Sequence, residues 1–129
     1  MRVACLSLLT LVFACKKAPE PTVPRPPDSS IVAGGSVQDL PQSTLFHTIY
    51  SYAGHAGQAL RFYGPEMEKR GAHLDGQAYV HDNMVNSGGE LRESNVKPKD
   101  AAQPGVYVAV LEVSNATFID VWENVPKAR

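Results

Sequence analysis

The segment from Gly105 to Val125 constrains the fold more than any other part of the chain. Two apolar runs, 106–113 and 116–125, flank the pair Ser114-Asn115. Read as strands, both runs are apolar on both faces, which is typical of strands buried in the middle of a sheet. Asparagine tolerates a left-handed backbone and therefore favours a two-residue turn. The segment predicts a central, buried β-hairpin.

Shorter strands are predicted upstream of this hairpin. Thr44 to Tyr52 is rich in β-branched and aromatic residues and alternates between two faces, which indicates a strand. A helix with Leu45, Ile49 and Tyr52 on one face is the competing interpretation. The remaining predictions are a strand at Gln58–Tyr63 that ends at Gly64-Pro65, one helical turn at Glu66–Arg70, a strand at Gln77–Asp82, and mostly loop over residues 83–105 with a short strand near Glu90–Val96.

These elements together predict a mainly β domain, a small antiparallel sandwich or barrel of roughly five to seven short strands. The entry Pro104-Gly105-Val106-Tyr107 is similar to the start of a late strand in immunoglobulin-like and transthyretin-like sandwiches. The resemblance implies that the Tyr107 hydroxyl bonds back to an upstream backbone group.

The first residues indicate export and lipid attachment. Arg2 precedes an uncharged, mostly apolar run from Val3 to Ala14, which as a helix covers only about 18 Å of the ~30 Å bilayer core and so indicates a signal sequence. The end, Val12-Phe13-Ala14-Cys15, resembles the lipobox of bacterial lipoproteins. The resemblance implies cleavage before Cys15 and lipidation of that cysteine. Because Lys16 rather than aspartate follows it, the resemblance also implies attachment at the outer membrane. The alternative is an ordinary secretory signal that leaves Cys15 as a free thiol.

A proline-rich stretch follows the signal. Residues 16–30 include Pro19, Pro21, Pro24, Pro26 and Pro27, a density that blocks helix and sheet ladders and favours an extended backbone. We therefore interpret residues 1–14 as the signal peptide, 15–43 as a disordered, lipid-anchored tether with an optional edge strand at 31–33, and 44–129 as the folded domain. A more specific alternative to a simple tether is that a proline-binding partner protein docks on residues 24–27.

Composition and motifs exclude several function classes. The chain has 12 Lys and Arg against 13 Asp and Glu and no basic stripe, so nucleic-acid binding is not expected. Cys5 lies in the signal and Cys15 carries the lipid, which leaves no thiol for a disulfide or a nucleophile. GxSxG, HExxH and phosphate-binding motifs are absent from the sequence, so no enzyme and no cofactor is predicted. His73-Leu74-Asp75 could place a carboxylate beside an imidazole, and Ser87 lies in a glycine-rich turn, but only geometry identifies a Ser/His/Asp site.

The histidines suggest one metal site. All four lie between His47 and His81, and Met84 follows closely. Imidazole and thioether ligands suit Cu(I), so His81 and Met84, with His73 as a third ligand, form the candidate copper or zinc site. In a strand these two side chains would lie ~10 Å apart on opposite faces, so they share an ion only if the two residues between them turn the chain. The alternative is that all four histidines are surface or hydrogen-bonded residues.

The leading functional hypothesis is non-enzymatic. It is a lipid-anchored cell-envelope binding or assembly module, either an accessory subunit of an outer-membrane apparatus or a periplasmic inhibitor or immunity protein. Its predicted partners are the membrane, through the anchor, and an envelope protein that meets the domain on the periplasmic side. Tyr50, Tyr52, Tyr63 and Trp122 favour this hypothesis because such residues are common at interfaces, although they also fill cores. A periplasmic copper- or zinc-binding lipoprotein is the alternative, and a hydrolase comes third.

Overall fold

The computed structural model describes residues 19–128, and within them a six-stranded antiparallel sheet carries one α-helix. In chain order the elements are β1 (Ser29–Asp39), β2 (Ser43–Tyr52), α1 (Ala56–Lys69), β3 (His73–Asp75), β4 (Ala78–Val80), β5 (Met84–Asn86), β6 (Val96–Pro98), β7 (Gly105–Val113) and β8 (Ala116–Pro126). The predicted mainly β, antiparallel class is confirmed. The sheet ends in open edges at β1 and β3, so the described residues form no closed barrel and are consistent with the small sandwich.

The predicted hairpin, β7 and β8, is the centre of the sheet, whose strand order is β1-β2-β8-β7-β4-β3. Val108 lies opposite Val121, and Val108 has no exposed surface. The turn residues Ser114 and Asn115 have φ values of 49° and 68°, the positive pair that a two-residue hairpin turn requires. Strand β2 pairs with β8 along its whole length, which confirms the strand predicted at residues 44–52.

Side-chain alternation gives this sheet two covered faces. We call the face against α1 the helix face. Its core residues are Val106, Val108, Val110, Ile119 and Val121, packed against Ala59, Tyr63 and Met67 of the helix. We call the opposite face the hairpin face, because the small antiparallel pair β5–β6 covers it. There Leu45 and Trp122 pack with Met84 and Val96. The apolar character of β7 and β8 on both sides follows from this double cover.

The helix α1 overturns two predictions, the strand at residues 58–63 and the single turn at residues 66–70. Ala56, Ala59, Tyr63 and Met67 are buried along one side, at the three- and four-residue spacing of an amphipathic helix. Pro65 lies inside the helix and is exposed, so burial of the apolar stripe outweighs the hydrogen bond that proline removes. The helix ends at Lys69. Gly71 follows the capping residue Arg70, and its φ of +85° suits glycine beyond a helix C-terminus.

The N-terminal part of the domain also differs from the sequence interpretation. The domain was expected to begin at residue 44, with a disordered tether before it. Instead β1 pairs with β2 from Ser29 to Asp39, and residues 19–28, here called the strap, lie on the helix face. Pro26 is fully buried, and Val23 packs against the core. A proline-rich chain offers few backbone donors, and a buried carboxylate accepts two of those in the strap, the amides of Thr22 and Val23.

That carboxylate belongs to Glu123 on β8, which is 5% exposed. Its oxygens accept hydrogen bonds from the Thr22 amide at 2.7 Å, the Thr22 hydroxyl at 2.6 Å and the Val23 amide at 3.1 Å. Arg70 donates to Glu123 at 3.4 Å and to the Thr22 carbonyl at 3.1 Å. The guanidinium also donates to Glu66 at 2.8 Å and thereby lowers the pKa of that carboxyl. This network supplies the donors that a buried carboxylate needs.

Residues 83–104 contain β5, a 3₁₀ turn at Leu91–Glu93 and β6. The short strand expected near residues 90–96 therefore overlaps β6 only at Val96, where β6 begins. Asparagine side chains organise this region. Asn83 donates to the carbonyls of Asp100, Gln103 and Pro104 at 3.0–3.2 Å and accepts from the Asp100 amide at 2.9 Å. Such side-chain-to-backbone bonds replace a regular ladder.

Candidate functional site

The hairpin face carries a buried carboxylate–imidazole pair. Asp120 on β8 is 1% exposed, and its Oδ1 lies 2.5 Å from Nε2 of His47 on β2. In the β2–β8 ladder, Ile49 lies opposite Asp120 and His47 opposite Trp122. His47 is thus a diagonal neighbour of Asp120 on the same face. A carboxylate this deeply buried requires a hydrogen-bonding partner, because desolvation of a lone charge is very costly.

Trp122 fixes the plane of the imidazole. The indole and imidazole rings stack with their centroids 3.7 Å apart and an angle of 9° between their planes. Trp122 Nε1 donates to Ser94 Oγ at 3.0 Å, which ties the indole to the loop between β5 and β6. The imidazole of His47 is therefore held by its stacking on Trp122 and by its hydrogen bond to Asp120 on the buried strand β8.

A cavity of about 230 Å³ opens beside this pair, between the sheet and the turn at Leu91. Ala78 and Ala109 lie opposite each other on β4 and β7, and Ala109 lies opposite Asp120 on β8. Their small side chains form the floor, while Tyr107 and Leu111 are walls at the neighbouring positions of β7. Asp120 is itself one of the lining residues, so the cavity adjoins the Asp120–His47 pair.

The rim of the cavity is formed by Glu90 and Leu91. Leu91 has φ = 49°, a left-handed conformation that is uncommon for a residue with a side chain. The cavity-lining residues include two carboxylates, Asp120 and Glu90, and within residues 19–128 none of the lining residues is lysine or arginine. The space is therefore acidic and otherwise mainly apolar.

Tyr107 joins the cavity wall to the β5–β6 hairpin. Its hydroxyl oxygen accepts a hydrogen bond from Asn86 Nδ2 at 3.2 Å, so its partner is a side chain rather than the backbone group that the sandwich resemblance implied. Burial raises the pKa of Tyr107 above its ordinary value, the Asn86 bond opposes this, and the negative charges of Asp120, Glu90 and Asp75 add to the rise. The tyrosine is consequently a neutral hydroxyl in the physiological range.

The three residues of the predicted metal site do not converge. Met84 is 3% exposed, in the apolar cluster of the hairpin face, whereas His81 lies beside Arg70 and Val106 on the other side of the sheet. The backbone amide of Asn83 donates a hydrogen bond to His81 Nδ1 at 3.1 Å. His73 is exposed on the edge strand β3, near Asp82. The chain does turn between His81 and Met84, but it buries the thioether as core. Within residues 19–128 no three His, Cys, Asp or Glu side chains group as metal ligands.

The described residues also bring no nucleophile to an activated imidazole. His73 lies 3.7 Å from Asp82 rather than beside Asp75, and Ser87 donates to the Asn95 carbonyl. Ser36 lies opposite His47 in the β1–β2 ladder, but no hydrogen bond joins the two side chains in the part of the chain that the structure describes. The arrangement can bind and orient a polar group, and it lacks the contacts of a nucleophilic site.

Comparisons with known proteins assign no family: no protein-family model, curated protein or solved structure matches the chain. No helix among residues 19–128 has the length and apolar character needed to cross a membrane. Cys15, the predicted lipidation site, lies outside the described residues.

Sequence reasoning missed Asp120, His47 and Glu123 as central residues. One signal was visible, since Asp120 and Glu123 are the only charged positions between Ala116 and Val125, a stretch predicted to be buried. A carboxylate inside a buried strand demands a partner. His47 and Thr22, however, lie 73 and 101 positions away from their carboxylates, and no local pattern connects such distant residues.

Proposed function

We propose that this protein is a lipid-anchored binding module of the cell envelope that accepts an extended segment of a membrane-associated partner protein on strand β1. The observation that carries the proposal is the contrast between the two sheet edges. Strand β3 has three residues and includes Asp75, whereas β1 has eleven and no charged side chain before Asp39. Natural edge strands are usually short or charged, because a long uncharged edge pairs with other chains.

The outward side chains of β1 support the same proposal. Ile31 and Val37 are 58% and 55% exposed, and Val32 is 42% exposed. Backbone pairing to a sheet edge gives affinity, and alternate side chains give specificity. The irregular pairing between Ile31 and Ser36 divides the edge into two short stretches, which limits pairing with a second copy along its full length and suits a short partner segment.

The strap indicates how far from the membrane the partner would lie. If Cys15 is the anchor, only residues 16–21 separate it from Thr22, the first residue held by Glu123. Six extended residues reach about 20 Å. Strand β1 begins shortly after the strap, so the anchored domain would hold this edge close to the bilayer. A membrane-associated envelope protein is therefore a better fit than a distant soluble one.

Site-specific photo-crosslinking in living cells tests the proposal. A photoreactive side chain at position 37 of β1 is expected to give a discrete adduct in the membrane fraction. The same side chain at position 74, where Leu74 is 52% exposed on the opposite edge, should give none. The double variant Ile31→Lys/Val37→Lys should lose the partner, while Leu74→Lys should keep it. Equal adducts from both edges, or none from position 37, would exclude β1 as the partner-binding edge.

A further inference from the structure

The acidic cavity on the hairpin face plays no part in the partner binding at strand β1 proposed above. Asp120 is 1% exposed, and among the described residues its Oδ1 accepts one hydrogen bond, from Nε2 of His47. Oδ2 has no hydrogen-bond partner within residues 19–128, although the side chain lines the cavity. Oδ2 is not among the fully buried side-chain oxygens of the described residues that lack a partner, so it keeps some accessible surface. A ligand that donates a hydrogen bond to a carboxylate oxygen in such a sheltered place is bound favourably.

We propose that this cavity binds a small organic amine, whose protonated nitrogen donates to Asp120 Oδ2 and whose short hydrocarbon chain lies between Tyr107, Leu111 and Leu91. The charge of the cavity selects the amine. Glu90 at the rim and Asp120 at the floor are acidic, and no lining residue among those described is lysine or arginine. Anionic ligands would meet two carboxylates, whereas a cation gains from both.

The shape of the cavity limits the ligand to a small one. Its volume of about 230 Å³ lies just below the usual ~300–1,000 Å³ of drug-sized sites. The alanine floor at positions 78 and 109 admits a slender chain rather than a ring system. Tyr107 is held by Asn86 at 3.2 Å, so its aromatic ring forms a fixed wall against which a cation is also stabilised. A metal ion fits less well, because the described residues offer two carboxylates here and no third ligand.

The chain contains its own reporter for this binding. Trp122 is the sole tryptophan, and it stacks at 3.7 Å on the imidazole that bonds Asp120. An ammonium group that engages Asp120 changes the charge beside the imidazole and thus the environment of the indole. Tryptophan fluorescence of the full chain in detergent micelles is therefore a direct readout.

The test compares butylammonium with butanol and butanoate, which have the same chain length but differ in head group. Butylammonium is expected to change the fluorescence of Trp122 saturably, with an apparent Kd at least about tenfold lower than those of butanol and butanoate. Asp120→Asn should weaken butylammonium binding at least about tenfold. Asp82→Asn, which removes an exposed carboxylate outside the cavity lining, should leave binding unchanged.

Because Asp120→Asn also alters a buried pair, Ala109→Leu provides an independent variant that fills the floor and keeps the charge. It should abolish binding in a protein with a wild-type circular dichroism spectrum. Equal affinity for butylammonium and butanol, no saturable response to butylammonium, or full binding by a folded Ala109→Leu variant would overturn the proposal. None of these results depends on the lipid anchor or on strand β1.

Discussion

At the residue scale, Tyr63 is a core residue whose polar group lacks a hydrogen-bond partner among residues 19–128. Its side chain is fully buried between α1 and the sheet, and its hydroxyl has no hydrogen-bond partner in the described part of the chain. The hydroxyl of Tyr107, by contrast, bonds Asn86. An unpaired buried hydroxyl costs free energy, whereas a paired one contributes to stability. The two tyrosines therefore form a matched pair for testing the core.

We expect Tyr63→Phe to raise the free energy of unfolding by about 1 kcal/mol, because it removes a buried polar group that lacks a partner. The control Tyr107→Phe should lower it by about 1 kcal/mol, since Asn86 loses an acceptor. Urea denaturation followed by circular dichroism measures both. A loss of stability in Tyr63→Phe similar to that in Tyr107→Phe would mean that the Tyr63 hydroxyl has a partner in solution.

The same tyrosines predict how stability depends on pH. Burial raises the pKa of both Tyr63 and Tyr107 above the ordinary value, which is about 10. The folded state holds these protons more tightly than the unfolded state, so their contribution is complete below pH ~10 and is lost as the pH rises further. Urea midpoints measured across the alkaline range should fall above pH ~10, and they should fall less steeply in Tyr63→Phe. An identical slope in the variant would contradict this assignment.

At the element scale, the strap differs most from the sequence interpretation, which made these residues part of a disordered tether. Glu123→Ala removes the acceptor of the Thr22 and Val23 amides and one of the acceptors of the Arg70 guanidinium. We expect a loss of about 3 kcal/mol, in the range seen when one partner of a buried charged pair is removed. The readouts are urea denaturation and the rate at which a nonspecific protease cleaves residues 19–28.

Glu112→Ala is the matched control for this prediction. Glu112 is half-exposed and accepts one backbone hydrogen bond, from Ala56 at 3.1 Å, so its loss should cost about 1 kcal/mol and leave the strap protected. If Glu123→Ala unfolds like the wild type and its strap resists the protease, the strap is not held by this carboxylate.

The elements also show how far sequence reasoning extends. The β7–β8 hairpin and β2 were predictable, because alternation, apolar runs and Asn115 are local signals. The helix was not, since Gly64-Pro65 was interpreted as a break while the stripe from Ala59 to Met67 continues through it. The strap was predicted to be extended, as its prolines dictate, but its docking depends on Glu123. The candidate site depends likewise on a contact between strands that are far apart in sequence.

At the scale of the whole molecule, the sheet has two covered faces, one short edge and one long open edge. The strap joins the start of the described chain to the middle of the sheet, and β1 follows it directly. With a lipid at Cys15, this order would place the open edge near the bilayer. A membrane-anchored binding module of this kind requires, above all, the modification of one cysteine, Cys15.

Metabolic labelling with a fatty-acid analogue, followed by membrane fractionation, tests that modification directly. We expect the wild-type protein to incorporate the label and to stay with the membranes after a high-salt wash. Cys15→Ser should lose both properties, and the matched variant Cys5→Ser, altered within the signal, should keep both. Label and membrane attachment retained in Cys15→Ser would exclude Cys15 as the lipid anchor.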